Sequence, residues 1–216
     1  MLLKIYKKLL KYFGKQNWWP ADTRFEVIIG AILTQNTNWN NVEKAIANLK
    51  KAKVLTPLKL PCVPKRKLCG YIRPSGFFNQ KAERLILFMD FLKKNYRNSI
   101  PVLMKENLAD LRQKLLDLKG IGPETADSIL LYAADKPSFV IDAYTKRIVS
   151  RLGISNGDKY EDLQHLFQKS IPESVGIYKE YHALIVELAK NHCKKIPLCK
   201  GCPLIKICIY NKSLHF

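Results

Sequence analysis

Apolar residues recur every three or four positions along almost every segment of this chain, and the two-residue alternation of a half-buried strand is nearly absent. FEVIIGAILTQ (25–35) reads as a largely buried helix, NNVEKAIANLKKA (40–52) as an amphipathic one and QKAERLILFMDFLKKNY (80–96) as a long one. The same period runs through NLADLRQKLLDL, TADSILLYAA, AYTKRIVSRLG, KYEDLQHLFQKSI and YKEYHALIVELAKNHC. Turns bearing Pro and Gly, such as LPCVPKRK and IRPSGFFN, separate these runs, since proline lacks the amide that a helix interior needs. PSFVI (137–141) is the one short β-branched and aromatic run. The pattern predicts an all-α protein.

Charge narrows the partner. The 37 Lys+Arg against 18 Asp+Glu give a formal charge of +19 on 216 residues, an electrostatic footprint that attracts polyanions and points to nucleic acid. Hydrophobic (47%) and charged (25%) fractions are those of an ordinary globular chain, long enough for one large or two small domains. In MLLKIYKKLLKYFGK, apolar Leu2, Leu3, Ile5, Tyr6, Leu9, Leu10 and Phe13 alternate with lysines at helical spacing, which suits a helix packed on the body of the protein better than a signal peptide. No stretch approaches the roughly 20 apolar residues of a membrane span. The expectation is a cytoplasmic protein without disulfides.

LKGIGPETADSIL (118–130) reads as helix, hairpin, helix, with the whole motif over about 111–133. Gly120 and Gly122 can both take positive φ and leave amides uncovered, and Pro123 suits the first helical turn. Lys119, Gly120, Ile121 and Gly122 together could cradle a phosphate of the DNA backbone, positioning the duplex without reading its sequence. A plain tight turn between packed helices is the competing reading. Glu124, an acid directly after a hairpin that should meet an anion, is the anomaly of this stretch.

Cys193, Cys199, Cys202 and Cys208 form a C-x5-C-x2-C-x5-C pattern in HCKKIPLCKGCPLIKIC. Four thiols so close in such a chain indicate metal rather than disulfide. Structural zinc usually takes two Cys-x2-Cys hooks, and only one is present. Lys194, Lys195, Lys200 and Lys206 thread the segment and suit a loop that meets phosphate. Cys62 and Cys69 have no partners of matching spacing.

The run LKGIGPETADSILLYAADKPSFVIDAYTKRIVSRLG (118–153) resembles the helix-hairpin-helix and Gly/Pro–Asp signature of the endonuclease III superfamily of DNA glycosylases. The similarity extends from WWPADTRFEVIIGAILTQNTNW (18–39) to the C-terminal cysteines. The resemblance implies two helical domains with a DNA-facing cleft between them: a helical barrel at 23–136, and a second domain of 1–22 plus 137–216. It implies a monomer acting on double-stranded DNA that contains a damaged base. It also implies that the cysteines hold a [4Fe–4S] cluster rather than zinc, although the first interval is one residue shorter than the family's C-x6-C.

Asp142 precedes a helix, where an aspartate caps well, and the resemblance makes it catalytic. Breaking an N-glycosidic bond builds positive charge on the sugar; a fixed carboxylate stabilises that charge and orients a water. At Glu124 bifunctional relatives carry a lysine that forms a Schiff base. A carboxylate cannot, so the reading is a monofunctional enzyme in which Glu124 faces the damaged nucleoside. Lys119 or Lys146 could still supply an amine, which keeps open a glycosylase/lyase acting on oxidised pyrimidines.

WWP and QNT-x-Trp, followed by RPSGFFNQKA (73–82), resemble the 3-methyladenine branch of the superfamily. There the residues matching Trp19 and Trp39 sandwich the extruded base, and an alkylated, cationic purine gains cation–π attraction. Gln35 matches the residue that fills the vacated gap. Phe77 or Phe78 is expected to wedge the opposite strand, with Asn79 also at the DNA. Such a leaving group needs little acid catalysis, in keeping with an expected site that has no histidine near Asp142.

Overall fold

The computed structural model describes residues 1–213, with helices throughout and no strand among the described residues. It divides into two units, Trp19–Lys136 and a unit joining Met1–Trp18 to the chain from Pro137 onward.

The first unit contains α2 (Arg24–Leu33), α3 (Trp39–Lys51), α4 (Lys65–Ile72), α5 (Phe78–Tyr96), α6 (Ile100–Met104), α7 (Leu108–Leu116) and α8 (Pro123–Ser128), the last continued by a π-helical turn at Ile129–Ala133. Local chemistry sets the starts. Thr23 Oγ1 accepts from Glu26 N at 3.1 Å, and Asn38 and Asn107 cap α3 and α7 in the same way. Every residue of α2 from Phe25 to Leu33 is buried, the mark of a helix enclosed by its neighbours, and its one buried acid, Glu26, is paired with Lys50 at 2.7 Å. The long α5 buries Ala82, Leu85, Phe88, Met89, Leu92 and Tyr96 along one face, each large side chain contributing about 1.5–3 kcal/mol. Asp127, 0% exposed, joins α8 to α7 through Arg112, with Nε and Nη2 at 2.8 and 3.0 Å.

The other unit holds α1 (Leu2–Phe13), α9 (Ala143–Arg151), α10 (Tyr160–Ser170), α11 (Val175–Asn191) and the short α12 (Ile209–Ser213). As its periodicity predicts, α1 buries Leu2, Ile5 and Leu9, and Tyr181 Oη on α11 donates to Leu2 O at 3.0 Å. The run PSFVI is extended without a strand partner, so side chains serve its backbone. Gln164 Nε2 donates to Phe139 O at 2.8 Å and Gln168 Oε1 accepts from Phe139 N at 3.0 Å. The Phe139 ring stacks on Phe167 with centroids 4.4 Å apart. No helix among the described residues is long and apolar enough to cross a membrane.

Candidate active site

Asp142 ends the extended run and caps α9. Its Oδ1 accepts from Thr145 N at 2.7 Å and from Thr145 Oγ1 at 2.8 Å. Oδ2 faces His182, whose Nε2 lies 3.5 Å away, a distance that makes this an electrostatic contact more than a hydrogen bond. The expectation of a site with no histidine near Asp142 is therefore corrected. His182, 4% exposed, arrives from α11, and helix packing rather than local sequence brings it there. Its only sequence signal is an imidazole inside the apolar run YHALIVELA. Burial pushes the Asp142 carboxyl up, but His182 and the two Thr145 donors outweigh this and hold it below its usual value. Such a carboxyl is ionised at neutral pH, as charge stabilisation requires.

In the hairpin only Gly120 takes positive φ, at 88°. Gly122, which is free to do the same, is extended at φ −94° because it serves as the N-cap of α8. Ile121 is buried and its N–H closes a turn onto Leu118 O at 2.9 Å, so that amide is not uncovered. Lys119 is exposed, and so is Glu124 in the first turn of α8. Gln35 reaches this motif: its Nε2 donates to Gly120 O and to Thr125 Oγ1, both at 2.9 Å, while its Oε1 accepts from Arg84 Nη1. Arg84 packs so closely that a Cβ on residue 120 would stand 2.5 Å from its Nε. Gln35 thus braces the hairpin in this structure, a link that crosses elements and leaves no mark in the sequence.

Trp19 and Trp39 meet with ring centroids 5.0 Å apart and planes at 88°, and Tyr132 lies 5.2 Å from Trp19. The two indoles, expected to sandwich an extruded base, form an edge-to-face pair in this structure, the geometry ring quadrupoles favour. Gly30 lets Trp19 lie against α2, where a Cβ would meet Cζ2 at 3.4 Å. Beside the rings is a cavity of about 200 Å³ lined by Trp19, Pro20, Gly30, Trp39, Ile46 and Ala47 and by the charged Glu26, Glu43 and Lys50.

Phe77 is 60% exposed and holds a left-handed φ of 44° at the start of α5, a strained conformation for an aromatic residue. Phe78 is instead covered by Arg73, whose guanidinium sits 5.6 Å from the ring centre. Asn79 is exposed and lines a cavity with Lys65, Arg66, Cys69 and Arg73. Beneath this loop Lys81 is 0% exposed and donates to Ser75 O at 2.6 Å and Leu33 O at 2.8 Å, tying the RPSGFF loop to the end of α2. Desolvation lowers its pKa to about 8. A lysine on the apolar face of α5 was the available sign.

Cys193, Cys199, Cys202 and Cys208 all line one cavity, with Pro197, Leu198, Ile205 and Tyr210 as its apolar walls. Arg151 Nη1 donates to Cys193 Sγ at 3.3 Å and to Lys194 O at 2.6 Å. Tyr12 of α1 donates to Gly201 O at 3.1 Å and anchors the same loop. Among the described residues no set of three or more Cys, His, Asp or Glu side chains is arranged to hold a metal ion. The donor chemistry nonetheless fits an iron–sulfur cluster: four thiols around one apolar cavity, with an arginine donor on a sulfur.

Comparison with known proteins gives the class. Residues 29–173 match the HhH-GPD superfamily of base excision DNA repair proteins. A protein of Methanocaldococcus jannaschii, provisionally named a DNA repair glycosylase, is 53% identical over 97% of this chain and 96% of its own. Endonuclease III of Thermotoga maritima is 29% identical over 96% of this chain and 92% of its own. The 3-methyladenine DNA glycosylase of H. pylori, solved bound to 1,N6-ethenoadenine, superposes with a TM-score of 0.80 at 34% identity, covering 88% of this chain and 97% of that one. The chain belongs to the HhH-GPD superfamily. It is a DNA glycosylase of base excision repair.

Proposed function

We propose that this glycosylase is monofunctional and hydrolyses the N-glycosidic bond of alkylated purines such as 3-methyladenine in double-stranded DNA. The observation that carries the reading is Glu124 in the first turn of α8, where the resemblance implies the Schiff-base lysine of bifunctional relatives. The aromatic cavity of Trp19 and Trp39 and the 34% identity to a 3-methyladenine glycosylase support the alkylated purine.

In this reading the hairpin at Lys119–Gly122 holds backbone phosphate and the exposed Phe77 parts the duplex, with Asn79 beside it. The flipped base leans on the indoles. Asp142 stabilises the cationic sugar and orients the attacking water, its orientation fixed by the Thr145 donors. Cys193, Cys199, Cys202 and Cys208 would hold a [4Fe–4S] cluster, which organises the lysine-bearing loop and takes no part in hydrolysis.

The relatives named endonuclease III favour a second reading, a glycosylase/lyase on oxidised pyrimidines using Lys119 or Lys146. Lys81, despite its lowered pKa, is not a candidate amine because it is fully buried. Duplexes bearing 3-methyladenine, uracil or an oxidised pyrimidine, scored separately for base release and strand scission, decide between them. The expected result is release of the methylated base without scission and without a borohydride-trapped adduct. Trapping on an oxidised pyrimidine would replace the monofunctional reading with the second.

A further inference from the structure

We infer that Glu43 makes the aromatic cavity a filter for positive charge, so that a cationic purine is preferred to a neutral one of similar size. The inference rests on the alkylated-purine reading and assigns its selectivity to one residue. In a chain of +19 the lining of this cavity is unusual, since two of its three charged side chains, Glu26 and Glu43, are carboxylates. Lys50 does not offset both. Its Nζ is held 2.7 Å from Glu26 Oε1 and 2.7 Å from Asp22 Oδ2, already two acids. None of the ion pairs found among the described residues involves Glu43.

Glu43 follows Trp39 by one turn of α3, so both side chains stand on one face of that helix and line one cavity. The ring faces of Trp19 and Trp39 attract a cation, and an adjacent carboxylate adds a charge–charge attraction. A neutral base gains neither. Alkylation at N3 or N7 of a purine nucleotide, nitrogens that carry no proton to lose, spreads a positive charge over the base, and that charge is what the cavity would sense.

Two measurements test this. The first compares release of cationic 7-methylguanine and neutral 1,N6-ethenoadenine from matched duplexes by the native chain, Glu43→Gln and Glu43→Asp. The cationic-to-neutral ratio should fall about fivefold or more in Glu43→Gln and recover in Glu43→Asp. An unchanged ratio overturns the filter while leaving the glycosylase reading intact. The second titrates tryptophan fluorescence with N7-methylguanosine and with guanosine at slightly acidic pH, and needs no catalysis. It therefore reads Glu43 even in a chain that proves to release only oxidised pyrimidines. A native preference for the methylated nucleoside that Glu43→Gln abolishes supports the filter; equal affinity of the native chain for both nucleosides overturns it.

Discussion

His182 Nε2 stands 3.5 Å from Oδ2 of Asp142, while Oδ1 of the same carboxylate is committed to the start of α9. One oxygen is thus a helix cap and the other faces an imidazole. The carboxylate cannot rotate without losing the two Thr145 donors, so its orientation is set before any substrate arrives, the condition under which a fixed charge contributes most to catalysis.

Asp142→Asn keeps the cap, since Asn accepts the Thr145 donors as Asp does, but removes the charge. Single-turnover base release should fall about a hundredfold or more with little change in melting temperature. Asp142→Ala should lose both release and about 1 kcal/mol of stability. Native-like release by Asp142→Asn would remove Asp142 from the chemistry.

The lowered pKa of Asp142 has a signed consequence. A carboxyl whose folded pKa lies below its unfolded value of 3.8 binds fewer protons folded than unfolded above the folded pKa. Its contribution is fully present above the unfolded value and is lost as pH falls through the folded one. Denaturant melts should therefore show the native chain losing stability relative to Asp142→Asn below about pH 4. Parallel curves down to strong acid would contradict the shift.

Lys81 carries the opposite kind of titration. Its pKa drops from 10.5 to about 8 on burial, so between those values the unfolded chain binds more protons and stability rises with pH. Comparing the native chain with Lys81→Met across that interval should show the native chain gaining as pH increases. Loss of the two carbonyl contacts, to Leu33 and Ser75, should also loosen the RPSGFF loop, seen as faster amide exchange there.

Arg112→Met leaves fully buried Asp127 without its guanidinium. Removing one partner of a buried bidentate pair should cost about 3 kcal/mol, measurable as a lower denaturant midpoint with an unchanged slope. A cost below about 1 kcal/mol would show the pair to be near neutral.

Gly120→Ala forces a side chain onto a φ of 88° and into Arg84 Nε at 2.5 Å. The expected cost is about 1–2 kcal/mol in the hairpin, together with weaker duplex binding that is uniform across sequences, read by fluorescence anisotropy. Binding equal to that of the native chain would take the hairpin out of the DNA contact.

Features set by neighbours in sequence were legible in the chain itself. Apolar spacing marked the helices and the packed face of α1, Asp142 announced itself as an N-cap, and Pro123 as the first residue of α8. The clustering of the four cysteines by one cavity follows the short spans between them. Such signals survive because capping, helical period and short loops depend on residues a turn or two apart. Only tertiary structure brought His182 to Asp142, turned Trp39 edge-on to Trp19, tied Gln35 to Gly120 and placed Lys81 under two carbonyls. It also gave Gly122 an extended backbone where the sequence allowed a left-handed one. Each of these depends on the register and crossing of helices far apart in the chain, which periodicity within one helix does not encode.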